Sequence, residues 1–182
     1  IKNLPILFVI LLLAAFANVI NDIFDLKIDI DNKINRPIAL KKINTNIALL
    51  FSIFLVSSAL YIIVIHSFDI NLKILILGFN LPLIILYTPF LKKIPLIGNI
   101  TVSLLLSMVF IVTSVYITNA ISISLYPLII FSFILMLIRE IVKDIQDIKG
   151  DKKNNVHTLP VIFGINFSIN LIACLVFILF IF

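Results

Sequence analysis

An all-α membrane protein, built as a bundle of transmembrane helices, is the fold class this sequence predicts, and three observations carry it. Hydrophobic residues make up 62% of the 182-residue chain and charged residues only 13%, against roughly 45–50% and 25% in soluble domains. Apolar runs recur that reach the roughly 20 residues needed to cross about 30 Å of hydrocarbon. The connections between these runs alternate between strongly basic and nearly uncharged. A soluble fold cannot hide this much apolar surface, and in lipid each segment satisfies its own backbone hydrogen bonds by forming a helix.

Six spans follow in order, at residues 4–27, 43–65, 70–90, 97–118, 122–146 and 160–182. The first closes where Asn18, Asn21 and Asp22 bring polarity into the run, and a basic connection over 28–42 leads to the second. The short, nearly uncharged stretch 66–69 separates the second from the third. Lys92 and Lys93 close the third, 119–121 divides the fourth from the fifth, and the basic stretch 147–159 precedes the sixth. The chain opens at Ile1 and ends inside the apolar run Ile165 to Phe182, which reads as a piece of a longer protein. The first run continues into an acidic face at Asp22 where a signal peptide would need a cleavage site. The single cysteine, Cys174, excludes an internal disulfide and reads as a small lipid-facing or helix-packing residue.

Assigning every cation to a side puts all but Lys2 and Lys73 of the 14 Lys and Arg residues together: Lys27, Lys33, Arg36, Lys41, Lys42, Lys92, Lys93, Arg139, Lys143, Lys149, Lys152 and Lys153. The positive-inside rule places that side in the cytoplasm of a multi-pass cell-membrane protein. The pI near 9.4 then follows from topology together with anionic substrates or membrane lipids, and needs no nucleic acid. All but Asp69 of the nine acids gather on the same side. Acids do not obey the positive-inside rule, so their clustering has another cause.

Asp22, Asp25 and Asp29 fall within an arc of about 60° on a helix, and Asn18 joins that face. Asp144, Asp147 and Asp151 repeat the same spacing of three and then four, and Glu140 extends the stripe back by one turn. Each set ends an apolar helix and is followed by a polar loop and a proline, Pro37 or Pro160. The bland alternative is a pair of solvated helix ends, with Lys27 facing Asp31 and Lys143 facing Asp147. That reading suits Asp31, but it does not explain why two helix ends carry the same spacing.

Six carboxylates facing one another near a low-dielectric region cannot all stay ionised unless cations bridge them. Each costs roughly 2.5–3.5 kcal/mol at membrane depth even on mild insertion scales, so such groups tend to mark function. Hard oxygen ligands without His or Cys favour Mg²⁺, which keeps room for water and substrate phosphates. Carboxylates on two helices can therefore hold a diphosphate between them through shared metal ions, with Arg36, Lys143, Lys152 and Lys153 taking the remaining phosphate charge.

These residues resemble the UbiA superfamily of intramembrane prenyltransferases. Asn21, Asp22, Asp25 and Asp29 match its N-D-x-x-D-x-x-x-D signature, and Asp144, Asp147 and Asp151 match its later D-x-x-D-x-x-x-D. Asn32, Arg36 and Pro37, the segment Pro95 to Asn99, and Gly150, Asp151, Thr158, Leu159 and Pro160 extend the likeness over about residues 5–164. Within the superfamily, the forms around Arg36-Pro37-Ile38 and Arg139-Glu140-Ile141-Val142-Lys143-Asp144 are most similar to archaeal digeranylgeranylglyceryl phosphate synthases.

The resemblance implies nine transmembrane helices around a central cavity open sideways to lipid, capped by the two motif-bearing loops. Six spans here then imply one further helix before Ile1 and two after Phe182. It implies Mg²⁺ as cofactor, with Asp22, Asp25, Asp144 and Asp147 as catalytic metal ligands. Substrate contacts fall to Asn18, Asp29, Arg36, Lys143, Asp151 and Lys92. The partners implied are a prenyl diphosphate and a lipid acceptor, geranylgeranylglyceryl phosphate. Diphosphate would leave and the acceptor would capture an allylic cation in the apolar cavity.

Asn21 points away from the stripe, toward a neighbouring helix. Lys92 and Lys93 also suit positive-inside anchors, and Tyr87 suits either the cavity or an aromatic belt. His66 and His157 lack acidic company and read as structural; Phe131 and Phe133 read as lipid or packing surface. Two other functions share the stripes: prenyl transfer to an aromatic acceptor, and cation-coupled transport, whose sites usually lie on broken helices near the midplane. The sequence leaves acceptor, prenyl length and oligomeric state open.

Overall fold

The computed structural model describes residues 4–32 and 34–181. Lys2 and Lys33 of the cation set lie outside them, as does Phe182 at the end of the sixth expected span. All regular structure among the described residues is helical: α1 Leu4–Phe24, α2 Leu26–Asp31, α3 Thr45–Ile65, α4 Ile70–Lys73, α5 Leu81–Tyr87, α6 Ile97–Thr118, α7 Tyr126–Lys153, α8 Leu159–Phe163 and α9 Ile165–Ile181. A π-helical stretch, Ile74–Asn80, joins α4 to α5 into one rod, Ile70–Tyr87. Among the described residues, five helical segments are long and apolar enough to cross a membrane: Leu4–Phe24, Thr45–Ile65, Ile70–Tyr87, Ile97–Thr118 and Ile123–Lys153.

Three boundaries differ from the sequence expectation. The sixth expected span, 160–182, is divided at Gly164, whose φ of 86° and ψ of 162° lie where only glycine sits without strain. The short α8 precedes the break and the 17-residue α9 follows it. The fifth span does not stop at 146. Its helix continues through the acid motif to Lys153, where Lys152 and Lys153 in the last turn complement the negative end of the helix dipole. The second motif is therefore helical throughout rather than part of a capping loop. The third span contains the π-helical segment, in which the Leu81 amide reaches back five residues to the Ile76 carbonyl. Pro82 follows and has no N–H to give, so the wider turn sits where the regular ladder is already interrupted.

The chain forms two compact units, Ile1–Ile85 with Val112–Ala120, and Leu86–Ile111 with Ile121–Phe182. In the first, α1 packs along α3. Ile6, Val9, Leu13 and Phe16 of α1 are buried, as are Ala48, Ser52, Leu55, Ala59 and Ile63 of α3, both at three-and-four spacing. Lipid tails are as apolar as leucine, so this contact gains from close packing rather than from escaping water. Small residues such as Ala48, Ser52 and Ala59 suit it. The outward residues of the same helices stay exposed, Leu50 at 67% and Val64 at 78%, as lipid-facing positions require.

In the second unit Leu137 and Ile141 of α7 and Leu159 of α8 form a core, against which Leu96, Ile100, Leu171 and Leu175 pack. α6, whose last turns belong to the first unit, carries Thr101, Ser103 and Ser107 in the second and Ser114 in the first, all buried. Each hydroxyl donates to a backbone carbonyl, as Ser103 does to Asn99 at 2.7 Å, so none is orphaned in an apolar setting.

Ala59 is fully buried in the α1–α3 contact, so Ala59→Leu is expected to lower stability by about 1–3 kcal/mol through overpacking. Leu50→Ala on the exposed face of the same helix is expected to leave melting unchanged. Thermal unfolding of the two variants in detergent checks the contrast; equal melting temperatures would contradict the packing.

Candidate functional site

The first acid stripe straddles the joint between α1 and α2. The helical ladder carries across it, with the Asp25 amide donating to Asn21 O and the Asp29 amide to Asp25 O, both at 2.8 Å. Asp22, Asp25 and Asp29 therefore keep the common face their spacing predicts. Pro37 disfavours helix at the residue before it, and the chain turns back there, with Leu40 N donating to Arg36 O at 2.9 Å. The turn delivers Arg36 to the stripe. Its Nη1 lies 2.6 Å from Asp22 Oδ1, 3.2 Å from Asp29 Oδ2 and 3.9 Å from Asp25 Oδ2. Asp25 and Asp29 are buried, and the guanidinium supplies the positive charge that buried carboxylates need.

Asn21 corrects its sequence expectation: its Nδ2 donates to Asp25 Oδ2 at 2.8 Å on its own helix, rather than to a neighbouring one. The i,i+4 geometry outweighs the angular offset because an amide reaches across one helical turn. Asn21 Oδ1 is buried and accepts no hydrogen bond from the described residues. Asn18, one turn earlier, is exposed.

The second stripe lies on α7 and is neutralised differently. Asp144 Oδ2 accepts a 2.8 Å hydrogen bond from Asn99 Nδ2, near the start of α6. Asp151 is buried, and its Oδ2 accepts from Thr158 Oγ1 at 3.1 Å, while its backbone carbonyl accepts from the Val156 amide at 2.9 Å. Asp151 thus ties the turn after α7 to the helix. Glu140, one turn before Asp144, is buried beside Arg139, 2.5 Å away, and Lys143, 3.7 Å away. Asp147 is half-buried on the same helix. Lys92 sits in the single 3₁₀ turn Leu91–Lys93 that leads into α6.

His66 caps α3, with Nδ1 3.2 Å from the Ile62 carbonyl and its ring stacked on Phe68, so its reading as structural holds. Sequence reasoning found no role for Asn99. The signal available was an amide immediately after Gly98 at the mouth of an apolar span, next to a basic connection.

The donor set has the chemistry of a magnesium site, carboxylate and amide oxygens only. Among the described residues no three acidic side chains stand close enough to ligate one ion by themselves. Magnesium seldom uses an all-protein cage; it usually takes one or two carboxylates and completes its shell with water and substrate phosphate. In the first stripe three carboxylate oxygens already converge on one positive centre, Arg36 Nη1, and Asn21 Oδ1 offers a further oxygen nearby in the chain. The residues fit such an ion.

Residues 2–182 match the UbiA prenyltransferase family. The chain belongs to that family. Among relatives within it, the digeranylgeranylglyceryl phosphate synthase of Methanosphaera stadtmanae is 35% identical over 164 residues, covering 87% of this chain and 58% of the relative. The enzyme of the same name from Thermococcus sibiricus is 37% identical, covering 91% and 58%. That from Sulfolobus acidocaldarius is 40% identical, covering 88% and 57%. A solved structure described as digeranylgeranylglyceryl phosphate synthase in membranes superposes with a TM-score of 0.71 at 34% identity, covering 99% of this chain and 62% of that one. The chain thus spans less than two thirds of the length of these UbiA relatives. The all-α membrane fold expected from the sequence is the fold of this neighbour.

Arg36 holds three carboxylates together, so Arg36→Ala is expected to lower metal-free stability by about 2 kcal/mol, less than the 3–5 of a fully buried pair because the cluster is partly exposed. Added Mg²⁺ is expected to raise the melting temperature of the variant more than that of the native protein, since it would relieve the uncovered repulsion. Melting curves with and without Mg²⁺ decide it; identical curves for both proteins would remove Arg36 from the cluster's energetics.

Proposed function

We propose that the protein is a magnesium-dependent prenyltransferase that transfers a geranylgeranyl group from its diphosphate to geranylgeranylglyceryl phosphate, a step of archaeal membrane lipid synthesis. The observation that carries this reading is the pair of aspartate stripes of identical spacing, the first with three carboxylates converging on one cationic nitrogen. The names of the family and of the relatives support the same chemistry. Both motif faces and the basic connections lie toward the cytoplasm, and membrane lipids surround the exposed apolar faces.

Magnesium, when bound, would supply charge neutralisation for the departing diphosphate. Asp22, Asp25, Asp144 and Asp147 are the residues that would hold it. The C1–O bond of the prenyl diphosphate breaks with its electron pair going to diphosphate. The acceptor hydroxyl oxygen then bonds to C1 and releases its proton to solvent. Cations of the chain take the phosphate charge that metal leaves: Lys92 and Lys143 on the second unit, and Arg36 on the first. Arg36 meets the carboxylates through Nη1 alone, so the other edge of its planar fork is suited to an acceptor phosphate. Apolar walls exclude the water that would otherwise capture the allylic cation.

The assay that tests the proposal combines the purified full-length protein, geranylgeranyl diphosphate, Mg²⁺ and a panel of lipid and aromatic acceptors, with product mass as readout. Digeranylgeranylglyceryl phosphate is the expected product; a prenylated aromatic, or no product with any acceptor, would overturn it. Asp22→Asn and Asp147→Asn are each expected to abolish turnover while the protein still inserts and folds, because a lost carboxylate also relieves like-charge repulsion. Turnover within about threefold of native, roughly 0.7 kcal/mol in the barrier, would argue against metal ligation.

Replacing Arg36 by Lys keeps the charge and loses the fork. Arg36→Lys is therefore expected to weaken acceptor use more than prenyl diphosphate use, read from steady-state kinetics with each substrate varied in turn. An unchanged acceptor KM and turnover would exclude the acceptor-phosphate role.

A further inference from the structure

We infer that Asn99 is a positioning residue for the second aspartate motif: its amide holds Asp144 in the orientation in which that carboxylate takes a metal ion. The inference rests on the proposed metal role of Asp144 and adds a residue outside both aspartate signatures. Asn99 is 7% exposed and donates through Nδ2 to Asp144 Oδ2 at 2.8 Å. The hydrogen bond engages one of the two carboxylate oxygens, Oδ2. One carboxylate oxygen is thus pinned, and Oδ1 is the atom that would take the ion.

The choice of amide matters. Arg36 in the first stripe binds its carboxylates and cancels their charge at the same time. Asn99 orients without bringing a positive charge of its own, so it does not compete with a cation for Asp144. A lysine at this place would compete with the metal; an apolar residue would leave the carboxylate free to rotate.

Asn99 is itself held firmly. A Cβ added at Gly98 would stand 3.0 Å from Lys92 Cα and 3.3 Å from Leu91 O, so the chain before α6 folds back directly onto the start of that helix, and only glycine fits without displacing backbone. Leu96 adopts a left-handed φ of 65°, rare for a bulky residue, and packs against the α7–α8 core. Ser103 Oγ donates to the Asn99 carbonyl at 2.7 Å one turn further on. Lys92 and Asn99 therefore belong to one tightly folded segment, which brings a phosphate-suited cation and the Asp144 anchor into fixed register. Hydrogen-bond partners behind a metal ligand typically change metal affinity by about 10–100-fold when removed.

The test is Mn²⁺ binding to the full-length protein in detergent, followed by electron paramagnetic resonance, with Asn99→Ala and Asn99→Leu. Leucine nearly matches the shape of asparagine and keeps the buried volume filled, so it serves where alanine destabilises the fold. Metal-free melting temperature reports folding, and Asp144→Asn is measured alongside. Mn²⁺ affinity reduced tenfold or more in a folded Asn99 variant and in Asp144→Asn is the expected result. Asn99→Leu, or a folded Asn99→Ala, within twofold of native while Asp144→Asn binds weakly would overturn the role of Asn99. Native affinity in all three variants would instead overturn the metal role of Asp144 on which it rests.

Discussion

Repulsion between carboxylates at the ends of apolar helices is the constraint on which the rest of this structure depends. An ionised acid near hydrocarbon is costly alone and costlier beside another, yet the chain carries two stripes of them. The first is offset by a full charge, the guanidinium of Arg36, delivered by the turn at Pro37. In the second, the amide of Asn99 meets Asp144 and the hydroxyl of Thr158 meets Asp151, while Arg139 and Lys143 pair with Glu140. Asn21 adds an amide to Asp25. The contacts of Arg36, Asn99 and Thr158 each tie another segment to a motif-bearing helix: the turn at 34–40 to α1 and α2, and the start of α6 and residues 154–158 to α7. The loops at the acid-bearing helix ends take their shape from the same contacts that make the carboxylates tolerable.

The apolar remainder follows a different logic. With lipid outside, little is gained by turning leucines inward, and the helices bury small and weakly polar residues beside their larger apolar ones. Ala48, Ser52 and Ala59 line the α1 contact, and the hydroxyls of α6 return to backbone carbonyls.

The chain belongs to the UbiA family, and under the function proposed above these devices would serve a chemistry in which a diphosphate leaves and a carbon–oxygen bond forms. Magnesium has little to bind in a ready-made cage here, since no three acids among the described residues are gathered for one ion. Under the proposed function, a site completed only by phosphate oxygens would favour binding metal and substrate together. The division of labour between Arg36, which neutralises, and Asn99, which orients, gives the two motifs different electrostatic character despite their identical spacing.

Much of this was legible from residue types and spacing alone. Apolar runs and loop charges determine a helical membrane bundle, because lipid allows a backbone few other solutions, and the three-and-four spacing determines that Asp22, Asp25 and Asp29 share a face, as do Asp144, Asp147 and Asp151. These are local properties, set within one or two helical turns. What only the tertiary structure decided are contacts between residues far apart in the chain, or places where the backbone departs from the regular helix. The Asn99–Asp144 bond joins two helices that no periodicity relates. Arg36 was readable as a cation near phosphate, but its insertion among three aspartates depends on the course of the turn at Pro37. The π-helical segment before Pro82 and the break at Gly164 lie in stretches whose hydropathy runs on unchanged, since an apolar side chain reports the solvent around it and not the path of its backbone.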